Sequence, residues 1–179
     1  MDTARLTTLL SGQHVRLWPH ATKAFPRDAL YHVWRLLEAE QAWPRLFWWQ
    51  DLPDAHKGDL VAFAGYMSDR VPLLVMHGGA IIGLIWFDEM VQGLRGNISI
   101  WCARDAWGEP AEEACRLATQ YAHEALRLPQ VWVVTPWKSV RDFAVRCAYT
   151  HVATFPRYVR LVGTPMALYF VVHEVKYSP

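Results

Sequence analysis

The sequence predicts one α/β domain: a mixed β-sheet, flanked by helices, around a central β-α-β unit. Three observations carry that prediction. Residues 72–77 (PLLVMH) and 80–89 (AIIGLIWFDE) are β-rich runs joined at Gly78-Gly79, the pattern of a hairpin. The apolar run 97–103 passes through a single glycine, Gly108, into a helical stripe and then reaches residues 130–135 (QVWVVT), apolar enough for a strand buried on both faces. Strand, helix and strand in that order imply parallel pairing. Finally, a chain of 179 residues that is 53% hydrophobic supports one compact core, and no repeat, low-complexity run or linker divides residues 1–179.

The elements follow in order. Residues 15–19 read as a short first strand. Over residues 26–41 the apolar positions Leu30, Val33, Trp34 and Leu37 keep a helical period opened by Pro26. The aromatic stretch 42–50 (AWPRLFWWQ) is helical or irregular, and residues 54–68 form a short helix that Asp54 can cap. The hairpin comes next, then a polar turn at 92–96 and the strand 97–103. From 110 to 126, Ala114, Leu117, Ala118, Tyr121, Ala122 and Ala125 line one helix face, opposite Glu112, Glu113, Arg116, Gln120 and Glu124. After the strand 130–135, residues 139–147 read as a short helix, and 151–160 and 165–175 as two further strands.

Composition narrows the function. Lys+Arg and Asp+Glu number 18 and 17, for a formal net charge of +1, so no basic field exists to hold nucleic acid or an anionic membrane. Any phosphate site is therefore local. Cys102, Cys115 and Cys147 are an odd number without CxxC or Cys/His ligand spacing, which suggests reduced thiols, an intracellular setting and no metal site. The start MDTARLTTLLSGQHV lacks a signal-peptide pattern, and no uncharged apolar stretch approaches the ~18 residues of a spanning helix. A soluble, cytoplasmic protein is expected. Ten tryptophans serve either as packing anchors or, where clustered and exposed, as contacts for a protein partner.

The loop around Gly108 is either an anion cradle or a turn that starts a helix. The element order, with this glycine turn ahead of the long helix, resembles the GNAT superfamily of acyl-CoA-dependent N-acetyltransferases over nearly the whole chain. The resemblance implies a mostly antiparallel twisted sheet. It also implies a loop of the form Gln/Arg-x-x-Gly-x-Gly/Ala, whose N–H groups at a helix N-terminus hold the CoA pyrophosphate. The matching segment is Asp105-Ala106-Trp107-Gly108-Glu109-Pro110, followed by Ala111. Asp105 stands at the Gln/Arg position, Glu109 adds a negative charge, and Pro110 lacks an N–H. TPWKSVRDFAVRCAYTHV is similar to the family's strand-end Asn and following helix, placing Trp137 at the Asn position. Ala144 then occupies the site of a tyrosine that, in the family, protonates the departing thiolate.

By this resemblance acetyl-CoA is the cosubstrate and an amine attacks its thioester directly. The main chain of Trp101, Cys102 and Ala103 would pair with pantetheine, and Trp107, Gly108, Glu109 and Ala111 would belong to the phosphate loop. Trp107 either stacks on adenine or anchors the turn. Trp137, Lys138, Ser139 and Arg141 either meet the pantetheine arm and phosphates or form an ordinary helix start capped by Ser139. For the base, strand alternation sends one of Asp88 and Glu89 inward and the other outward, without saying which; both read equally as solvated turn residues. His123 and His151 are further titratable candidates. The Cys102 thiol lacks recognisable His and Asp partners and reads as packing. Glu112 and Glu113 complement the helix dipole and so compete with phosphate.

Two functions compete. One is N-acetyl transfer to an amine, whether a protein N-terminus, a lysine or a small metabolite. The other is a non-catalytic GNAT-like binding or structural protein, possibly phage-like, motivated by Asp105, Glu109, Pro110, Trp137 and Ala144. A module for another acyl or nucleotide ligand is a third. Splaying of strands 97–103 and 130–135 beside Trp101 to Ala103 bears most directly on the choice.

Overall fold

The computed structural model describes residues 10–21, 28–46, 60–161 and 163–175. Pro26, Trp48, Trp49 and Asp54, which the sequence singles out, lie outside these residues. In chain order the elements are β1 (Leu10–Ser11), β2 (Arg16–Pro19), α1 (Ala29–Ala39), α2 (Trp43–Leu46), α3 (Leu60–Ser68), β3 (Val71–His77), β4 (Ala80–Val91), β5 (Arg95–Cys102), α4 (Glu109–Glu124), β6 (Gln130–Thr135), α5 (Lys138–Arg146), β7 (Thr150–Leu161) and β8 (Thr164–Glu174). A 3-10 turn, Arg104–Ala106, joins β5 to α4. β1 is absent from the sequence expectation, being two residues held by pairing to β2. The β4–β5 turn is tighter than expected, residues 92–94, because the strands pair beyond Asp88 through a bulge at Glu89.

Among the described residues eight strands form one sheet in the order β1-β2-β3-β4-β5-β6-β8-β7. Neighbours are antiparallel except β5 and β6, the parallel pair that the β-α-β order requires. Alternation divides the buried residues between two faces. Ile85, Phe87, Ile98, Val131, Val133 and Val171 face α4 and α5, where the small residues Ala111, Ala114, Ala118 and Ala122 bring α4 close to the sheet. Leu74, Leu84, Trp86 and Trp101 face α1 and α3, against Val33, Leu37, Phe63 and Met67. These helices cover the second face only as far as β5. Beyond it, Trp132, Val134, Phe170 and Phe155 border a groove.

The β5–β6 pairing is short. Arg95, Gly96 and Asn97 oppose Gln130, Val131 and Trp132; beyond them β6 pairs only with β8, through to Thr135, and β5 only with β4, through to Cys102. The two strands therefore part as they approach the starts of α4 and α5.

Candidate active site

The gap between β5 and β6 exposes main-chain groups. Ala103 N–H donates to Ile82 O at 2.8 Å, so the alternation of an antiparallel pair turns the groups of Ile100 and Cys102 the other way, into the gap. Of the segment 101–103, the main chain of Cys102, not that of Ala103, is thus available to a ligand. The Cys102 side chain is fully buried, and burial pushes its thiol up to about 12, which leaves it a packing residue. Gly83 makes the neighbouring contact tight: a Cβ there would lie 2.5 Å from Trp101 O and 2.9 Å from Cys102 Sγ. This glycine carries no sequence signal beyond its place inside a strand.

At the mouth of the gap lies a cavity of about 370 Å³ bordered by Trp101, Trp107, Trp137, Ser139 and Phe143, with Arg45, Arg104 and Arg146 as its cations and Glu40 as its acid. The arginines are legible only once the fold brings α2, the 3-10 turn and α5 together. Glu40 accepts a hydrogen bond from Arg104 N–H at 2.7 Å, tying the end of α1 to the turn ahead of Gly108. Gly108 is the N-cap of α4 with φ 127° and ψ −141°, a conformation glycine alone adopts without strain. A Cβ at Gly108 would meet nothing within 4 Å, so the space beyond it is open. Trp107 is 42% exposed and stands edge-on to Phe143, 5.0 Å between centroids.

Glu109 and Glu112 lie in the first turn of α4, where acids complement the helix dipole, and Glu112 and Glu113 also hold partners of their own. Glu113 accepts hydrogen bonds from the N–H groups of Gln13, His14 and Val15 at 2.5, 2.7 and 3.0 Å, clamping the β1–β2 turn. Glu112 pairs with Arg146 at 2.8 Å and Arg116 at 3.7 Å. Glu109 is exposed, with His14 Nε2 3.9 Å away. Ala111 packs its methyl in the core. No side chain among the described residues caps the helix start, so its amides remain for a ligand, less the one Pro110 lacks.

At the start of α5 the expected residues separate. Trp137 borders the cavity; its Nε1–H donates to Arg45 O at 3.2 Å and the Arg45 guanidinium lies 5.5 Å from its ring, so the pair bridges α2 and α5. Ser139 lines the cavity but caps nothing, since Trp137 is the N-cap. Arg141 turns away, bonding Asp142 from its Nε at 2.8 Å and lying over the Tyr169 ring at 5.0 Å, because its position on the helix faces β8. Lys138 is exposed and outside the cavity lining. Ala144 is buried.

On the second face, Asp88 is the inward member of its pair and Glu89 the outward one. Asp88 accepts a hydrogen bond from Trp86 Nε1–H at 3.2 Å and sits 3.8 Å from Arg70 Nε. Burial pushes its carboxyl above the usual 3.8, against the pull of Arg70. Arg70, just past α3, gives no hint of this role in sequence. Glu89, at φ 44°, accepts from Asn97 Nδ2 at 2.7 Å. Both carboxylates border a groove of about 930 Å³, which adjoins the first cavity along β5: Ser99 lines the groove, Ile100 and Trp101 the cavity. His123 is buried, its Nε2 2.9 Å from His173 Nδ1, and His151 bonds its own strand; neither touches the groove.

No protein-family model matches the sequence, and no curated protein sequence matches it. Solved structures do match its fold. A ribosomal L7/L12 α-N-protein acetyltransferase, RimL, in complex with coenzyme A is 10% identical with a TM-score of 0.74, covering 94% of this chain and 98% of that one. A probable GNAT-family acetyltransferase from Chromobacterium violaceum is 17% identical with a TM-score of 0.70, covering 94% and 86%. Spermidine N-acetyltransferase from Vibrio cholerae, in complex with CoA and spermine, is 12% identical with a TM-score of 0.71, covering 91% and 96%. The chain has the GNAT fold.

The sheet is mostly antiparallel with one parallel pair, as the resemblance implies. The Trp137 ring bridges to α2, and Ala144 is buried. No helix among the described residues is long and apolar enough to cross a membrane.

Proposed function

We propose that the protein transfers an acetyl group from acetyl-CoA to an amine by direct attack. The observation that carries this reading is the parting of β5 from β6, with Ile100 and Cys102 main-chain groups turned into the gap, beside a cavity ringed by Arg45, Arg104 and Arg146. The residues present fit the cosubstrate. The Cys102 main chain would hold the pantetheine arm and that of Ile100, nearer the groove, would polarise the thioester carbonyl; Gly108 and the first amides of α4, with Arg104 and Arg146, would hold the phosphates. Trp101, Trp107, Trp137 and Ser139 would shape the channel.

Asp88 is the proposed base, placed where an amine in the groove reaches it directly or through one water. Its carboxylate takes one proton from the bound ammonium, which frees the nitrogen lone pair to attack the thioester carbonyl; as the C–N bond forms and the C–S bond breaks, the nitrogen's remaining excess proton passes to water. The thiolate takes its proton from water, since Ala144 provides none. Glu89, turned outward and engaged by Asn97, supports the charge of the groove rather than the proton transfer.

A second reading, a non-catalytic binding protein, draws on the Trp137–Arg45 bridge across the cavity and on the missing hydroxyl at Ala144. Thermal shift decides between them. Acetyl-CoA at about a hundred times its dissociation constant adds about 2.7 kcal/mol of stability. A rise in Tm with release of free thiol on adding amines supports transfer; no rise at millimolar acetyl-CoA rejects it.

A further inference from the structure

The groove on the second face has the volume of a small-molecule site, about 930 Å³, and its two ends differ in chemistry. At the β4 end stand Asp88 and Glu89, with Asp69, Arg70 and Arg95 beside them. At the other end are rings: Trp132 on β6, Phe170 on β8, and Phe155 and Tyr158 on β7. Phe155 meets Phe170 edge-on at 5.3 Å and Tyr158 at 5.5 Å between centroids.

That aromatic wall is built by an irregularity. Phe155 and Tyr158 are three apart, and plain alternation would send them to opposite faces. Register runs from Phe155↔Leu168 to Val159↔Met166, so three residues of β7, 156–158, oppose the single Ala167 of β8, and Arg157 within the bulge has φ 53°. Bulges re-aim side chains, and a left-handed residue without glycine is strained, so the surrounding structure holds this bend in place. Its product is two large rings left 46% and 65% exposed at the groove edge. The indole N–H of Trp132 is taken by Gln130 Oε1 at 3.1 Å, so its contribution to the groove is its ring.

We infer that the groove selects a primary amine carried on an aromatic body, its ring among Phe155, Tyr158 and Phe170 and its amino group toward Asp88. From β4 the span is three strand spacings to Phe170 on β8, about 14 Å, and four to Phe155 and Tyr158 on β7, about 19 Å, less the reach of the side chains that line the groove at both ends. Charge agrees with a single ammonium. The groove is lined by three carboxylates, Asp69, Asp88 and Glu89, and two guanidinium groups, Arg70 and Arg95, and the one negative charge left over matches one ammonium rather than the several of a polyamine. An alkyl amine fills the acidic end and leaves the rings in water. The fate of the amine rests on the transferase reading; the selectivity of binding does not.

The test is calorimetry of tryptamine, butylamine and spermidine against the full chain, with and without acetyl-CoA, in parallel with thiol release. Tryptamine is expected to bind at least about tenfold more tightly than butylamine, with spermidine weakest. Replacing both rings, Phe155→Ala with Tyr158→Ala, is expected to shrink the tryptamine preference to below about threefold. Tyr158→Ala alone, at a 65% exposed position, keeps the test open if the double variant is unstable. Equal affinities, a preference for spermidine, or selectivity that survives both substitutions overturns the inference, as does a dimer in solution that buries Tyr158. Tryptamine binding without any effect of acetyl-CoA would defeat the transferase reading alone; acetyl-CoA binding without aryl selectivity would defeat this inference alone.

Discussion

Asp88→Asn separates catalysis from folding. The side chains of Arg70 and Asp88 are 18% and 13% exposed and 3.8 Å apart. Their attraction is about 4 kcal/mol at an effective dielectric of ~20, before desolvation is subtracted. Burial outweighs it, since the Asp88 carboxyl sits above 3.8. A raised carboxyl gives stability that is fully present below 3.8 and lost as pH rises through the raised value. At neutral pH the ionised Asp88 therefore burdens the fold, and the asparagine removes that burden while keeping an oxygen for Trp86 Nε1–H. It also leaves Arg70 without its carboxylate, so the two changes offset and Tm should move by no more than about 3 °C. Loss of a general base lowers kcat by about 10²–10⁴. The assay is initial thiol release against pH, with Tm of each variant. The wild type should lose kcat/KM as pH falls through the raised Asp88 value, and the variant should lack that acid limb. Activity within about tenfold of wild type, or an acid limb that persists in the variant, would refute Asp88 as base.

Gly108→Ala forces a side chain into φ 127° and should weaken acetyl-CoA binding by about tenfold or more, read by calorimetry; an unchanged Kd would place the phosphates elsewhere. Trp137→Phe keeps the ring but removes the donor to Arg45 O, a bond worth about 0.5–1.5 kcal/mol, so acetyl-CoA association followed by stopped flow should rise about two- to tenfold. Glu113→Ala frees the Gln13 to Val15 amides and should lower Tm by about 2–6 °C, after allowance for solvent screening. In the wild type that clamp is lost as pH falls: burial opposes ionisation of Glu113, the three amides outweigh it, and its carboxyl lies below 4.5. Cys102, pushed up to about 12, should stay unmodified by a thiol reagent at pH 8 while the chain is folded; modification at the rate of the unfolded chain would contradict its burial.

The parts of the fold legible in sequence were those where a local pattern and the tertiary structure agree. Gly78 and Gly79 make the β3–β4 turn at φ 56° and 86°, the α4 stripe faces the sheet, and residues 130–135 form a strand, although it pairs with β5 only over 130–132 and buries one face rather than the two expected, Trp132 and Val134 lining the groove. The alternation rule said that one of Asp88 and Glu89 faces in, but not which face of the strand borders the groove, so only the structure assigns Asp88, in phase with Leu84 and Trp86. Glu113 read as a helix-start acid because its partners, the amides of Gln13 to Val15, are about a hundred residues away and carry no side-chain signal. Arg45, Arg70, Arg104 and Arg146 look like ordinary surface cations until α2, α3 and α5 deliver them to the two cavities. The β7 bulge was hidden for the same reason: it is a mismatch of register with β8, which no single strand displays.

The short pairing of β5 with β6 makes the sheet two rafts, β1 to β5 and β6 with β8 and β7, joined along a seam of three residues on each side. α4 lies against strands of both rafts and acts as a splint across the seam. Such a joint is a weak line under load, and amides at Gly96 and Trp132, which face across it, should exchange with solvent before those of β3 and β4. A molecule lodged in the opening would stitch the rafts together along the stretch where the backbone does not, so the slowing of exchange on ligand addition should be concentrated at this seam.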